Sequence, residues 1–319
     1  MPPRIWRMPL TPALSPLAGR GSAHRRPCQC NPRPACGERV PEGDSPRAGE
    51  GELATAICIS KSGYGRGMDA RRGLFDEFAI AMAVLTRLPV GVAGQDEPGA
   101  IAASGWAFPL VGAGIGGVVA VAFFVVEALG CGSAVAALLA VLAGIALTGA
   151  FHEDGLADTA DGFGGGRDRA TKLAIMRDSR HGSFGILALV FSVGLRVAAL
   201  ATMGDPIHAG LALLAAHAAS RGALPTMMHL LAPARSDGLG FTAGRPNRAV
   251  ALIAVLIGIA IALAVLGPVR GAVTLLLAAA GIGLMAVLAR RQIGGYTGDV
   301  LGAFQQIGEI VMLLVAGAK

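Results

Sequence analysis

Three carboxylates set the first chemical question. Asp154, Asp158 and Asp161 stand at i, i+4 and i+7 in the polar stretch HEDGLADTADGFGGGRDRATKLAIMRDSRHGS, residues 152–183. On a helix they fall within an arc of about 60°, along roughly 10 Å of axis. Like charges on one stripe repel unless a cation sits between them. Oxygen-only ligation suits a hard divalent ion, Mg²⁺ or Mn²⁺, which usually shares its shell with phosphate oxygens of a substrate. Arg167, Arg169, Lys172, Arg177 and Arg180 follow, with glycines at 164–166 and at 182. Acid, then glycine, then arginine is what a diphosphate-bearing substrate needs. The bland alternative is a solvated loop whose charges only mark topology; the regular acidic spacing weighs against it.

The elements that position this stretch are apolar. The chain has 319 residues, 53% of them hydrophobic and 15% charged, with mean hydropathy +0.60 in the full sequence. That composition excludes an ordinary soluble domain and indicates a polytopic membrane protein. The 47 glycines suit close packing of membrane helices. The net charge of +6 is not a nucleic-acid signal, because the basic excess lies in the first 72 residues and in loops between apolar runs. Cys28, Cys30, Cys36 and Cys58 precede the first apolar run and lack zinc-site spacing.

Residues 1–67 are rich in Pro, Arg, Gly and Ser without a sustained period. They are expected to be a disordered N-terminal extension. Met68 is the expected start, with the extension as upstream sequence; a disordered cytosolic tail is the alternative. Residues 68–319 form the membrane-embedded domain. Arg71–Val92 is short, carries Arg87 and is closed by Pro89, so it is expected to lie at the interface or to enter partway. Spans are then expected at 106–129, 133–151, 183–203, 207–231, 249–266, 271–288 and 299–317, each near the ~20 residues a bilayer requires. The last is the most polar, with only partial embedding as the alternative to a full crossing.

Basic residues set the orientation. Arg71, Arg72, Arg87, the five of the polar stretch, Arg235, Arg245, Arg248, Arg290 and Arg291 fall in one set of loops; Arg270 and Lys319 fall in the other. The first set is expected to face the cytoplasm, which places every motif-bearing loop on one side. Those loops include Arg235-Ser236-Asp237-Gly238 and Gly294-Gly295-Tyr296-Thr297-Gly298-Asp299. Asp237-Gly238 reads equally as a turn, and the second loop fits a phosphate or hydroxyl contact. Inside the spans, Arg196, His217 and Arg221 are costly in lipid. Function is favoured for Arg221. For Arg196 and His217 structural roles are favoured, with Arg196 snorkelling and His217 bonding a neighbouring helix.

HEDGLADTADG, MRDSRHG, ARSDGLG and GGYTGDVLGA, in that order, resemble the motifs of the cobalamin synthase family, the adenosylcobinamide-GDP ribazoletransferases. LTRLPV and FPLVG add to the resemblance, which runs from about Phe78 to Glu309. Gln305 departs from it, since an acidic residue is expected there. The resemblance implies transfer of adenosylcobinamide phosphate from its GDP-activated form to α-ribazole or α-ribazole 5′-phosphate, with release of GMP and with Mg²⁺ as cofactor. It also implies a bacterial cytoplasmic (inner) membrane location and allows association with other late enzymes of cobalamin synthesis. The nucleophile would be a ribose hydroxyl, so a carboxylate or imidazole base is needed.

The expectation is therefore an all-α polytopic integral membrane protein, with about six or seven transmembrane helices plus an interfacial or re-entrant N-terminal helix. His152, Asp154, Asp158 and Asp161 are the expected catalytic residues, the three aspartates doubling as Mg²⁺ ligands. Arg177, Asp178, Arg180, Arg221, Arg235, Asp237, Thr297 and Asp299 are the expected substrate contacts. The partners are the two substrates and the lipid bilayer, with no nucleic acid. A transporter and a CDP-alcohol phosphotransferase, whose Asp-rich motif is analogous, remain alternatives.

Overall fold

The computed structural model describes residues 73–91, 94 and 97–318, and these are all-helical. The extension 1–67 and Met68 lie outside the described residues. Leu74–Leu85 forms α1, and Ala100–Ser104 forms the short α2. A 3-10 turn leads into α3, Phe108–Ala128. Then come α4, Ser133–Thr148; α5, Phe151–Gly165; α6, Arg169–Ile175; and α7, Ser183–Thr202. They are followed by α8, Pro206–Leu230; α9, Leu239–Thr242; α10, Arg248–Leu266; α11, Pro268–Ile293; and α12, Gly298–Gly317.

Each expected span has its helix. Five are long and apolar enough to cross a membrane, or six if the bent pair α4–α5 counts as one span: Ala100–Ala128, α7, α10, α11 and α12, plus that pair. α8 has 25 residues but falls outside this group. It carries His208, His217, Ser220 and Arg221, and it can afford them because other helices surround it. α8 packs against α3, α10 and α12, and a row of buried alanines (Ala209, Ala212, Ala215, Ala216, Ala218) lets those neighbours come close. The outer faces of α3, α7, α10 and α11 expose Leu, Val, Ile and Phe, as lipid contact requires. α1 lies against α2 and α3, joined to them where Trp106 Nε1 donates to Glu77 Oε2 at 2.6 Å.

The sharpest departure from the expected spans is at 148–151. One continuous span was expected over 133–151, but α4 and α5 meet at 91°. The break is made by two successive left-handed residues, Gly149 (φ 67°) and Ala150 (φ 58°). Their amides close the end of α4 onto Ala146 O and Ile145 O. Ala150 is the only described non-glycine residue with positive φ. The bend turns the acidic helix out of line with its span, across the end of the bundle.

A Cβ at Gly149 would strike the Arg87 side chain. Gly149→Ala is therefore expected to cost more than the ~1–2 kcal/mol of left-handed strain alone. Ala150→Gly should leave stability unchanged or slightly higher, since relief of about 1 kcal/mol offsets glycine's comparable entropy cost. Thermal unfolding in detergent checks both; equal destabilisation by the two changes would mean the turn is not the determinant.

Candidate active site

α5 begins immediately after the bend and carries Asp154, Asp158 and Asp161 as the spacing predicts. Its partner is α12. At Gly155 the two backbones touch: a Cβ there would lie 2.7 Å from Asp299 O. That approach brings Asp299 beside Asp158, whose carboxylate is crowded by the like charges of Asp154, Asp299 and Asp161. Asp299 in turn accepts from Thr297 Oγ1 at 3.1 Å and from Arg235 Nη2 at 3.3 Å. Thr297 also caps α12 through Val300 N. Arg235 Nη1 is buried with no partner among the described residues, a donor free to meet a substrate oxygen.

The third side comes from the loop between α6 and α7. His181 brings a ring nitrogen to Asp154 and Asp158, so that one ligand atom from each lies within 4.8 Å of the others. His181 was not among the expected site residues. Its only sequence signal was its place in MRDSRHG, where the two arginines drew attention first. Asp161 is used differently. Its two oxygens accept from Gly182 N at 2.6 Å and Gly185 N at 2.8 Å, so it caps the start of α7 and holds the loop that carries His181.

The basic residues divide into two groups. Arg169 Nε donates to Ile293 O at 2.8 Å and its Nη2 donates to Ala234 O, while Lys172 Nζ reaches Gln292 Oε1. These hold the end of α11 and the loop after α8. That loop is also stitched to 294–298 by Ala234 N to Tyr296 O (2.7 Å) and Tyr296 N to Ala232 O (2.9 Å). Arg177 and Arg180 instead stand on the exposed rim. Arg177 Nη2 meets both oxygens of Asp237, at 2.5 and 2.6 Å. Arg180 forks onto Asp178, and those hydrogen bonds hold Asp178 below the usual carboxylate range. Thr171 does the same for Asp168, the cap of α6. α6 ends at Ile175, so Arg177 and Arg180 sit in a loop and not on one helix face.

Two expected site residues are placed elsewhere. Arg221 is 2% exposed and lies in the bundle against His217 and Glu309. His152 is two residues from Asp154, hence on the opposite side of α5. It lines an apolar cavity of about 40 Å³ with Leu85, Phe108, Met228 and Leu301, and neither ring nitrogen has a partner among the described residues. Arg196 does not snorkel; it is buried and ion-paired to Glu153 and Glu309.

Opposite stability effects are expected at neighbouring aspartates. Asp158→Asn removes a charge that its neighbours repel and should raise the melting temperature. Asp161→Ala leaves the amides of Gly182 and Gly185 without their acceptor, that of Gly185 buried, and should cost about 1–3 kcal/mol. Thermal unfolding of both in detergent checks this; a loss of stability in Asp158→Asn would show that its charge is already compensated.

The sequence profile of cobalamin-5-phosphate synthase matches residues 77–317. An adenosylcobinamide-GDP ribazoletransferase of Bradyrhizobium diazoefficiens is 48% identical over 253 residues, covering 79% of this chain and 97% of that protein. Proteins of the same name from Mesorhizobium japonicum and Azorhizobium caulinodans are 44% and 45% identical, covering 77% and 75% of this chain and 94% of each of those proteins. No solved structure matches the chain. With the acidic helix, the rim arginines and the Gly-rich mouth of α12 all inside the matched region, the chain belongs to the cobalamin-5-phosphate synthase family.

Proposed function

We propose that this chain is a membrane-embedded transferase that moves adenosylcobinamide phosphate from adenosylcobinamide-GDP to α-ribazole or α-ribazole 5′-phosphate, releasing GMP. The observation that carries the reading is the meeting of Asp154 and Asp158 on α5 with Asp299 on α12, where Arg235 reaches Asp299 and Arg177 and Arg180 stand on the exposed loop between α6 and α7. The relatives' name supports this by stating adenosylcobinamide-GDP and ribazole.

A ribose hydroxyl attacks the phosphorus that bears the cobinamide alcohol. A new P–O bond forms, the bond to the GMP phosphate breaks, and the hydroxyl proton passes to a carboxylate of the acidic group. Negative charge grows on the departing phosphate. Arginines meet it with two parallel hydrogen bonds, which lysine cannot supply. The present partners of Arg177 and Arg180 are exposed aspartates, which a diphosphate of higher charge can displace. The donors fit a divalent ion: two carboxylates with an imidazole within 4.8 Å, and Asp299 alongside. Asp154 and Asp158 would hold Mg²⁺, which neutralises the diphosphate when bound. Asp161, with both oxygens already taken by amides, shapes the loop. The location is the bacterial inner membrane with the site facing the cytoplasm. The basic residues concentrated at that end of the bundle support it.

Membranes containing the chain should release GMP from adenosylcobinamide-GDP when α-ribazole is added, and excess EDTA should stop this. Asp154→Asn and Asp158→Asn should abolish turnover with normal insertion. Full activity in either, or in EDTA, would remove the metal from the reading.

Arg177→Lys and Arg180→Lys should lower kcat by one to three decades, about 1.4–4 kcal/mol, more than they raise KM. Wild-type kcat in both would leave the diphosphate without its clamp. For sidedness, Cys131 lies exposed in the turn before α4. In a chain whose other four cysteines are serine, it should react only from outside, and a cysteine at Gly165 only from the cytoplasm. The reverse pattern would invert the topology.

A further inference from the structure

Arg196 lies 3% exposed within α7, a helix whose only other buried polar residue is Ser192. Its Nη1 donates to Glu153 Oε1 on α5 at 3.0 Å and to Glu309 Oε1 on α12 at 3.1 Å. Its Nε turns back to Ser192 O on its own helix at 3.3 Å, and Ser192 Oγ donates to Gln306 Oε1 on α12 at 2.7 Å. One guanidinium thus joins three helices. Each of the three carries, or directly follows, one side of the acidic site: Asp154 and Asp158 on α5, His181 just before α7, and Asp299 at the start of α12. Glu153 is the residue next to Asp154.

The crossing of α5 and α12 is close at two points, where Gly155 meets the backbone at Asp299 and where Gly302 meets the backbone of His152. Glycine lets the helices approach there but supplies no directional contact of its own, so directional contacts must come from elsewhere on the two helices. A hydrogen-bonded ion pair is directional, and surrounded by hydrocarbon it has no water to exchange with.

We propose that Arg196 is a positioning residue: by gripping Glu153 and Glu309 together, it sets the spacing at which α5 presents Asp154 and Asp158 to Asp299. Arg196 touches no solvent-facing part of the site, so it acts only through these carboxylates. The proposal rests on the reading of the acidic group as the site of phosphoryl transfer.

Arg196→Lys is the test. It keeps one positive charge in place but replaces a rigid fork with a point charge on a flexible stem. The yield of folded protein and its melting temperature should stay at wild-type values. The kcat should fall about tenfold or more, since small misplacements are costly to transfer. KM for both substrates should stay within about twofold, and the Mg²⁺ concentration for half-maximal activity should rise. Wild-type kcat in folded Arg196→Lys would overturn the proposal. So would a fall in activity that only tracks the loss of folded protein.

Should Arg196→Lys fail to accumulate, Glu153→Gln gives the same reading. It keeps an oxygen acceptor toward Arg196 and loses the charge, and the same split between kcat and KM decides. A readout without turnover separates this proposal from the functional reading. Mn²⁺ affinity, followed by electron paramagnetic resonance, should weaken about tenfold in Arg196→Lys. Unaltered affinity overturns the positioning role. An inactive wild-type chain whose Mn²⁺ affinity depends on Arg196 would instead overturn the assigned reaction and keep the positioning role.

Discussion

Charges taken into a membrane bundle have to cancel there, and around Glu309 they do. Its Oε1 accepts from Arg196; its Oε2 accepts from Gln305 at 2.5 Å and lies 3.1 Å from His217 Nδ1 and 3.6 Å from Arg221. Glu153 supplies the second carboxylate, so two guanidiniums face two carboxylates. Removing one member of such a set leaves its counter-charge buried and unpaired, typically at 3–5 kcal/mol. Replacing the whole set with hydrocarbon would leave the helices free to choose other partners, since lipid is as apolar as leucine. Gln305 fits the same balance: as an amide it donates to Glu309 and Ser220, where an acid would bring a third negative charge.

From that centre the chain builds outward to a wet end. α5 leaves the bundle sideways at the bend and lays its acidic face where α12 begins. The loops around it are tied by backbone bonds between 232–234 and 296, and by Arg169 reaching across to both. The polar stretch therefore contains its own scaffold. Asp161, Asp168, Arg169 and Lys172 hold structure, while Asp154, Asp158, Arg177 and Arg180 keep their charge toward solvent or toward one another.

The long apolar runs made the helices legible, because lipid-facing segments must be apolar throughout. The stripe of three aspartates was legible too, since a period of 3.6 is a local property. What the period does not carry is which neighbour each side chain meets. Asp161 lies on the same helical stripe as Asp154 and Asp158, yet it turns to the amides of Gly182 and Gly185, twenty-one and twenty-four residues on. His181 joins the acids only because that cap draws its loop in. The 91° bend was missed for a related reason: Gly149 alone inside an apolar run reads as an ordinary small membrane residue, and Ala150 gives no hint of positive φ. The role of Arg221 went the same way, because a buried arginine announces a partner in lipid without saying whether that partner is substrate or protein.

The bend has one more effect, on the bilayer. Ending at Thr148, α4 has 16 residues and is about 24 Å long, while a hydrocarbon core is about 30 Å thick. α11, with 26 residues, reaches about 39 Å. Where both cross the bilayer, the wall beside α4 is the shorter one, and a hydrophobic stretch shorter than the core is met by local thinning of the lipid. Such thinning would lower the headgroups beside the start of α5 and bring the acidic helix nearer to water.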